Sequence, residues 1–202
     1  RVRHPKLQST HACKLVPTII AEIPSVRSAY LSQAQWQIEN QSPFGMRVTD
    51  VVETNEHLGI IMDWLDGSTL KTHLEKFGRV DIQPSLRWVV QVLSALHVLH
   101  EDGRVHLDIS THNVFLQKTP DGSIAILMDS GIHRHLEGEA QRFPLTISSL
   151  RYRAPEEIHQ NYSTGPWTDI YSIGAVLYEM MSGRPLYNGT SEYSIMHAIN
   201  GG

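Results

Sequence analysis

The sequence predicts an α+β fold in two lobes, a small one built mainly of strands with one helix and a larger one that is mainly helical. Three observations carry that expectation. The first 65 or so residues hold short alternating apolar runs bounded by turn residues, with one segment at helical spacing among them. From Pro84 onward the apolar residues recur at helical spacing over long stretches. Between the two regions, DGS at 66–68 is a turn signal, so the lobes should join near Met62–Gly67. The division expected is therefore 1–65 and 66–202.

In chain order, THACKLV at 10–16 alternates like a half-buried strand with Lys14 inside it. SVRSAYLSQAQWQIEN at 25–40 places Val26, Tyr30, Ala34 and Ile38 four apart, on one face of a helix. MRVTDVVET and HLGIIMDWL read as two strands. STLKTHLEKFG reads as a short helix closed by Gly78. PSLRWVVQVLSALHVLHEDG reads as a long helix with Pro84 in its first turn and Gly103 at its stop. Its apolar face is expected to be Leu86, Val89, Val90, Leu93, Leu96 and Leu99. TDIYSIGAVLYEMMSG at 168–183 is apolar nearly all round, as suits a helix buried in a core.

Composition narrows the function. A chain of 202 residues, 41 % hydrophobic and 19 % charged, falls in the class of ordinary globular proteins that bury a sizeable core. A net charge of −4 argues against nucleic acid or an anionic membrane as the main partner. The lone Cys13 allows no internal disulfide, which suits a reducing, cytoplasmic setting. RVRHPKLQST lacks the apolar core of a signal peptide, and no run approaches the roughly 20 apolar residues of a membrane span. The twelve histidines are scattered, with no HExxH, so they do not read as a zinc site.

Chemistry concentrates in a few short stretches. VHLDISTHNVFL at 105–116 sets Asp108 and Asn113 between two apolar runs. Asp129-Ser130-Gly131 follows the apolar IAILM, and Ala154-Pro155-Glu156 comes later, with Tyr152 just before it. Phosphoryl transfer needs cations on the phosphates, oxygens on Mg²⁺, and a carboxylate near the incoming hydroxyl, and these residues offer all three.

In chain order, Ala12-Cys13-Lys14, His106-Leu107-Asp108 with Asn113, Asp129-Ser130-Gly131, Ala154-Pro155-Glu156 and Asp169-Ile170-Tyr171-Ser172-Ile173-Gly174 resemble the motifs of the eukaryotic-type protein kinases, most like their bacterial Ser/Thr members. The resemblance covers nearly the whole chain and implies the two-lobed protein-kinase-like fold. It implies that Asp108 orients the substrate hydroxyl and accepts its proton, that Asn113 and Asp129 hold Mg²⁺, and that Lys14 contacts the α- and β-phosphates of ATP. Met62 would guard the back of the adenine pocket. Backbone groups of Asp63 and Leu65 would meet the adenine edge, between Ala12 above and Phe115 below. Ser149 stands where the Ser/Thr enzymes keep the threonine that helps fix the substrate. Asp169 would brace the catalytic loop.

The pattern is broken in four places. Gln33 stands where the family pairs a glutamate with its lysine, with Glu22 and Glu39 as substitutes on poorer spacing. Leu107 replaces the arginine that clasps a phosphorylated activation loop, so an on-switch of that kind is not expected. Ser130 replaces the phenylalanine that links the lobes through apolar contact. Ser110 replaces the lysine near the γ-phosphate, and His112, just before the metal-binding Asn113, is the expected substitute cation. No GxGxxG occurs, and the glycine-rich loop and the last helices are expected to lie beyond the two ends.

Three functions stay open at this stage. The leading one is an ATP- and Mg²⁺-dependent kinase of Ser/Thr hydroxyls in protein substrates. The second is a pseudokinase acting as a nucleotide-binding or scaffold module. The third is a small-molecule kinase sharing the Asp…Asn loop, against which Ala154-Pro155-Glu156 argues. Neither nucleic acid nor membrane is expected to touch this segment.

Overall fold

The structure is a computed structural model that describes residues 1–4, 6–16, 23–54, 57–129, 147–158 and 163–201. The first lobe is a four-stranded antiparallel sheet in the order β1-β2-β4-β3, from Val2–Arg3, Thr10–Val16, Val48–Glu53 and Leu58–Asp63. Helix α1, Pro24–Glu39, opens on Pro24, whose fixed φ suits a first helical turn. It packs Val26, Tyr30 and Ala34 against Val16, Val48, Leu58 and Ile60 of the sheet. The fourfold spacing seen in the sequence is thus the buried face, with Ile38 at its edge.

The second lobe carries a three-stranded antiparallel sheet, β5-β6-β7, from Gly67–Thr69, Val114–Thr119 and Gly122–Leu127. Gly67 is required there, since a Cβ would lie 2.0 Å from the Leu116 carbonyl oxygen. Helix α2, Leu70–Phe77, is capped by Thr69, whose hydroxyl accepts the Thr72 N–H, and ends at Gly78. Then follow α3 (Ile82–Glu101), α4 (Ile147–Leu150), α5 (Pro155–Ile158), α6 (Pro166–Ser182) and α7 (Glu192–Ile199). The lobes are also stitched behind their connection. The Met46 N–H donates to Leu127 O at 2.8 Å, and the Leu127 N–H to Phe44 O at 2.7 Å.

Two sequence expectations need correction. The buried face of α3 is Ser85, Trp88, Val92, Ala95, Leu96 and Leu99, while Leu86 and Val90 are 44 % and 61 % exposed. The helix turns the face carrying Trp88 toward β7 and α6, and a large aromatic buries more area than the aliphatics beside it. Helix α6 is not buried all round either. Thr168, Asp169, Ser172, Ile173, Val176 and Met180 face inward, but Trp167, Ile170, Tyr178 and Met181 form an exposed apolar side. Among the described residues no helix is long and apolar enough to cross a membrane.

Candidate active site

The loop from Val105 to Asn113 is held from below by a single buried carboxylate. Asp169, on the first turn of α6, is 0 % exposed. Its Oδ2 accepts the His106 N–H at 2.8 Å and meets His100 Nε2 at 2.7 Å, while Oδ1 accepts the Leu107 N–H at 2.8 Å. Leu107 sits at φ 58, a left-handed conformation that a leucine adopts only when its surroundings impose it. His106 is buried beside it. Its Nδ1 accepts the Asp108 N–H at 3.2 Å and its Nε2 bonds Met128 O at 3.0 Å, so a ring with its proton on Nε2 satisfies both contacts.

The acidic and amide groups then converge. Asn113 Nδ2 donates to both Asp108 O and Asp108 Oδ2, each at 2.8 Å. Both amide hydrogens are thereby used, and the Asn113 side-chain oxygen is the group left to face a cation. The Met128 N–H donates to Asn113 O at 2.8 Å, which sets Asp129 alongside Asn113. Asp129, at φ 50, accepts from Lys14 Nζ at 2.8 Å across 115 positions of sequence. Tyr30, buried on α1, is pushed up to about 12 by burial and then by the charge of Asp129.

A small cleft of about 20 Å³ lies among Lys14, Gln37, Met46, Val48, Ile60, Met62 and Asp129. Strand register puts Ala12 opposite Met62 and His11 opposite Asp63. The Asp63 N–H is taken by Arg47 O at 3.1 Å, so any edge contact from this residue falls to its carbonyl. Leu65 follows the last strand of the upper sheet, and Phe115 lies on β6, half-buried. A larger cleft of about 350 Å³ lies behind this region, bordered by Trp36, Asn40, Asp63, Leu65 and Leu99.

The residues that break the sequence pattern fall as follows. The Gln33 carboxamide oxygen accepts from Arg104 Nη1 at 3.1 Å. Glu39 is exposed at the end of α1 and accepts from Gln35. Ser110 is buried, so a lysine there would have to thread its amine outward, and His112 is exposed on the same loop. Ser149 is half-buried in α4. Glu22 and Ser130 lie outside the described residues.

A family profile described as the protein kinase domain matches residues 4–201. The chain belongs to the protein kinase family. Among curated relatives, the serine/threonine-protein kinase PkaA of Streptomyces coelicolor is 29 % identical over 93 % of this chain and 35 % of its own length. The serine/threonine-protein kinase PknB of Mycobacterium leprae is 27 % identical over 95 % of this chain and 31 % of its own. The protein kinase kin1 of Schizosaccharomyces pombe is 29 % identical over 88 % and 19 %. The chain thus spans about a third or less of these relatives.

This kinase domain also ties its later segments to the catalytic loop through buried polar groups. Tyr152 donates to Glu179 Oε2 at 2.6 Å and shares a 2.7 Å bond with the Thr111 hydroxyl, joining the loop, the segment before Ala154-Pro155-Glu156 and α6. Burial, and then the Glu179 charge, push the Tyr152 phenol well above its usual range. Glu156 accepts from the Thr168 hydroxyl at 2.9 Å, an anchor the sequence did not signal. Arg104, Trp36 and His100 were also missed, because their roles depend on which helix ends face each other.

The donor set suits Mg²⁺ with a nucleotide. Mg²⁺ is held in such sites by one or two side-chain oxygens, with phosphates and water completing the shell. One carboxylate beside one amide oxygen would fit that demand, and Lys14, bonded to Asp129, sets a cation beside them.

Proposed function

We propose that this domain is an ATP- and Mg²⁺-dependent protein kinase that transfers the γ-phosphate to Ser or Thr hydroxyls of protein substrates. The observation that carries the reading is two bonded pairs, Lys14 with Asp129 and Asn113 with Asp108, each at 2.8 Å, joined by the Met128 N–H on Asn113 O. A scaffold has no chemical need for all four in register, which disfavours the pseudokinase. The division expected from the sequence, 1–65 and 66–202, is retained as the lobe boundary.

In this reading Asp108 orients the incoming hydroxyl and takes its proton, and the Asn113 amide keeps that carboxylate aimed. The Asn113 oxygen and Asp129 would hold Mg²⁺, which when bound supplies positive charge to the phosphate oxygens. Lys14 leaves Asp129 to meet the α- and β-phosphates. Ala12, Met62, Phe115, the Asp63 carbonyl and the Leu65 N–H would receive the adenine. His112, exposed on the loop, supplies a cation to the transferring group, and Ser149 helps fix a Ser/Thr substrate. Gln33, bonded to Arg104, would support the nucleotide site from α1. The setting proposed is cytoplasmic, with protein rather than nucleic acid as substrate.

The test is γ-phosphate transfer from ATP to a general protein substrate by the full-length protein, with Asp108→Asn as control. Phosphorylation on serine and threonine that disappears in the variant supports the reading. Nucleotide binding without transfer under any metal would return the domain to the scaffold class.

A further inference from the structure

Arg104 lies between two fixed points. On one side the Arg104 N–H donates to Leu99 O at 3.1 Å and the Gly103 N–H to His100 O at 2.9 Å, with Gly103 at φ 68. This double bond pattern around a left-handed glycine closes α3 and fixes the direction in which the chain leaves it. On the other side His106 and Leu107 are bound to Asp169. The Arg104 side chain therefore starts from a backbone with little freedom.

Its guanidinium makes three engagements at once. Nε donates to Asp102 Oδ2 at 3.1 Å, Nη1 donates to Gln33 Oε1 at 3.1 Å, and Cζ lies 5.1 Å from the Trp36 ring centre. Gln33 and Trp36 are three apart on α1 and share a face. Gln33 is only 4 % exposed, so its bond to a charged donor satisfies a buried acceptor. A planar fork can stack on an aromatic and serve two acceptors together, and a lysine cannot. Lys14, the residue the family uses to hold this helix, is meanwhile bonded to Asp129.

We propose that Arg104 is a positioning residue that sets α1 against the catalytic loop through Gln33 and Trp36, in place of the usual lysine–glutamate pair. Helix α1 lines the cleft beside Asp129 through Gln37, so its placement decides the geometry of the cleft. The consequence is that Lys14 can change partners without releasing α1. The effect on turnover rests on the phosphotransfer reading, but the placement of the helix does not.

The experiment uses the full-length protein and two readouts, amide hydrogen exchange across residues 24–39 and steady-state kinetics. Arg104→Leu should speed exchange in α1 about tenfold or more and leave α6 unchanged. It should lower kcat by about tenfold, a modest fraction of what an ångström of misplacement can cost, with KM for ATP within twofold. Arg104→Lys should fail to restore either value. Gln33→Glu should keep α1 protected when Arg104 is present and lose that protection with Arg104→Leu. Unchanged α1 exchange in Arg104→Leu, or a uniform rise across both lobes, would overturn the proposal. If the wild-type protein transfers no phosphate, the functional reading fails, and the exchange data still decide the role of Arg104.

Discussion

Asp169→Ala removes one side chain and should release the whole catalytic loop. The carboxylate accepts two buried backbone N–H groups, of His106 and Leu107, and bonds His100 as well. A hydrogen bond to a charged group contributes about 1.5–3 kcal/mol, so the two backbone bonds together contribute roughly 3–6 kcal/mol. Leu107 could then leave its φ of 58, which returns about 1–2 kcal/mol of strain. A net loss of about 1–5 kcal/mol remains, before counting His100. For a chain of this size each kcal/mol moves the midpoint by about 2–4 °C, so the expected fall is roughly 2–20 °C. Calorimetry on full-length wild type, Asp169→Ala and Asp169→Asn measures it directly. Asparagine keeps one oxygen acceptor, so its fall should be about half as large. Asp169→Ala melting within 1 °C of wild type, or identical falls for both variants, would refute the bracing argument.

Asp129→Ala should abolish the Mg²⁺-dependent rise in melting temperature produced by ATP, and a surviving shift would reassign the metal site. Tyr30 has its pKa raised from 10 to about 12, so it contributes stability that is complete below pH 10 and lost as pH rises toward 12. Denaturant melts should show an alkaline loss of stability in wild type and lack it in Tyr30→Phe. His112→Ala should slow turnover by about tenfold, less than the 10²–10³ of a shielded donor because this side chain is exposed, and His112→Arg should retain the rate. An unchanged His112→Ala would remove His112 from the proposed site.

Much of the fold was legible because its signals are local. The strand at 10–16 and the helix closed by Gly78 rest on alternation and on a glycine stop, and the structure has Thr10–Val16 and Leu70–Phe77 there. The motif order likewise singled out Asp108 and Asn113, and Asp129 and Lys14, and each of these two pairs is hydrogen-bonded. What failed was the rotation of helices. Leu86 and Val90 look like core in a list of apolar residues, yet the face carrying Trp88 is the one turned toward β7 and α6. The Arg104 clamp was illegible for a similar reason. Arg104 and Gln33 are 71 positions apart, and nothing in either segment names the other.

The Lys14–Asp129 pair has one more consequence. Its partners are 31 % and 40 % exposed, so the bond contributes under about 1 kcal/mol to folding. Its effect falls instead on admission to the site. In the proposed reading, the cation for phosphate and the anion for metal neutralise each other at 2.8 Å. A polyphosphate arriving alone would strand Asp129 without its counter-ion, and a divalent ion arriving alone would strand Lys14. Arriving together, they exchange two partners for two. The cleft would thus behave as a coincidence detector, in which nucleotide and metal each raise the other's affinity by the same factor.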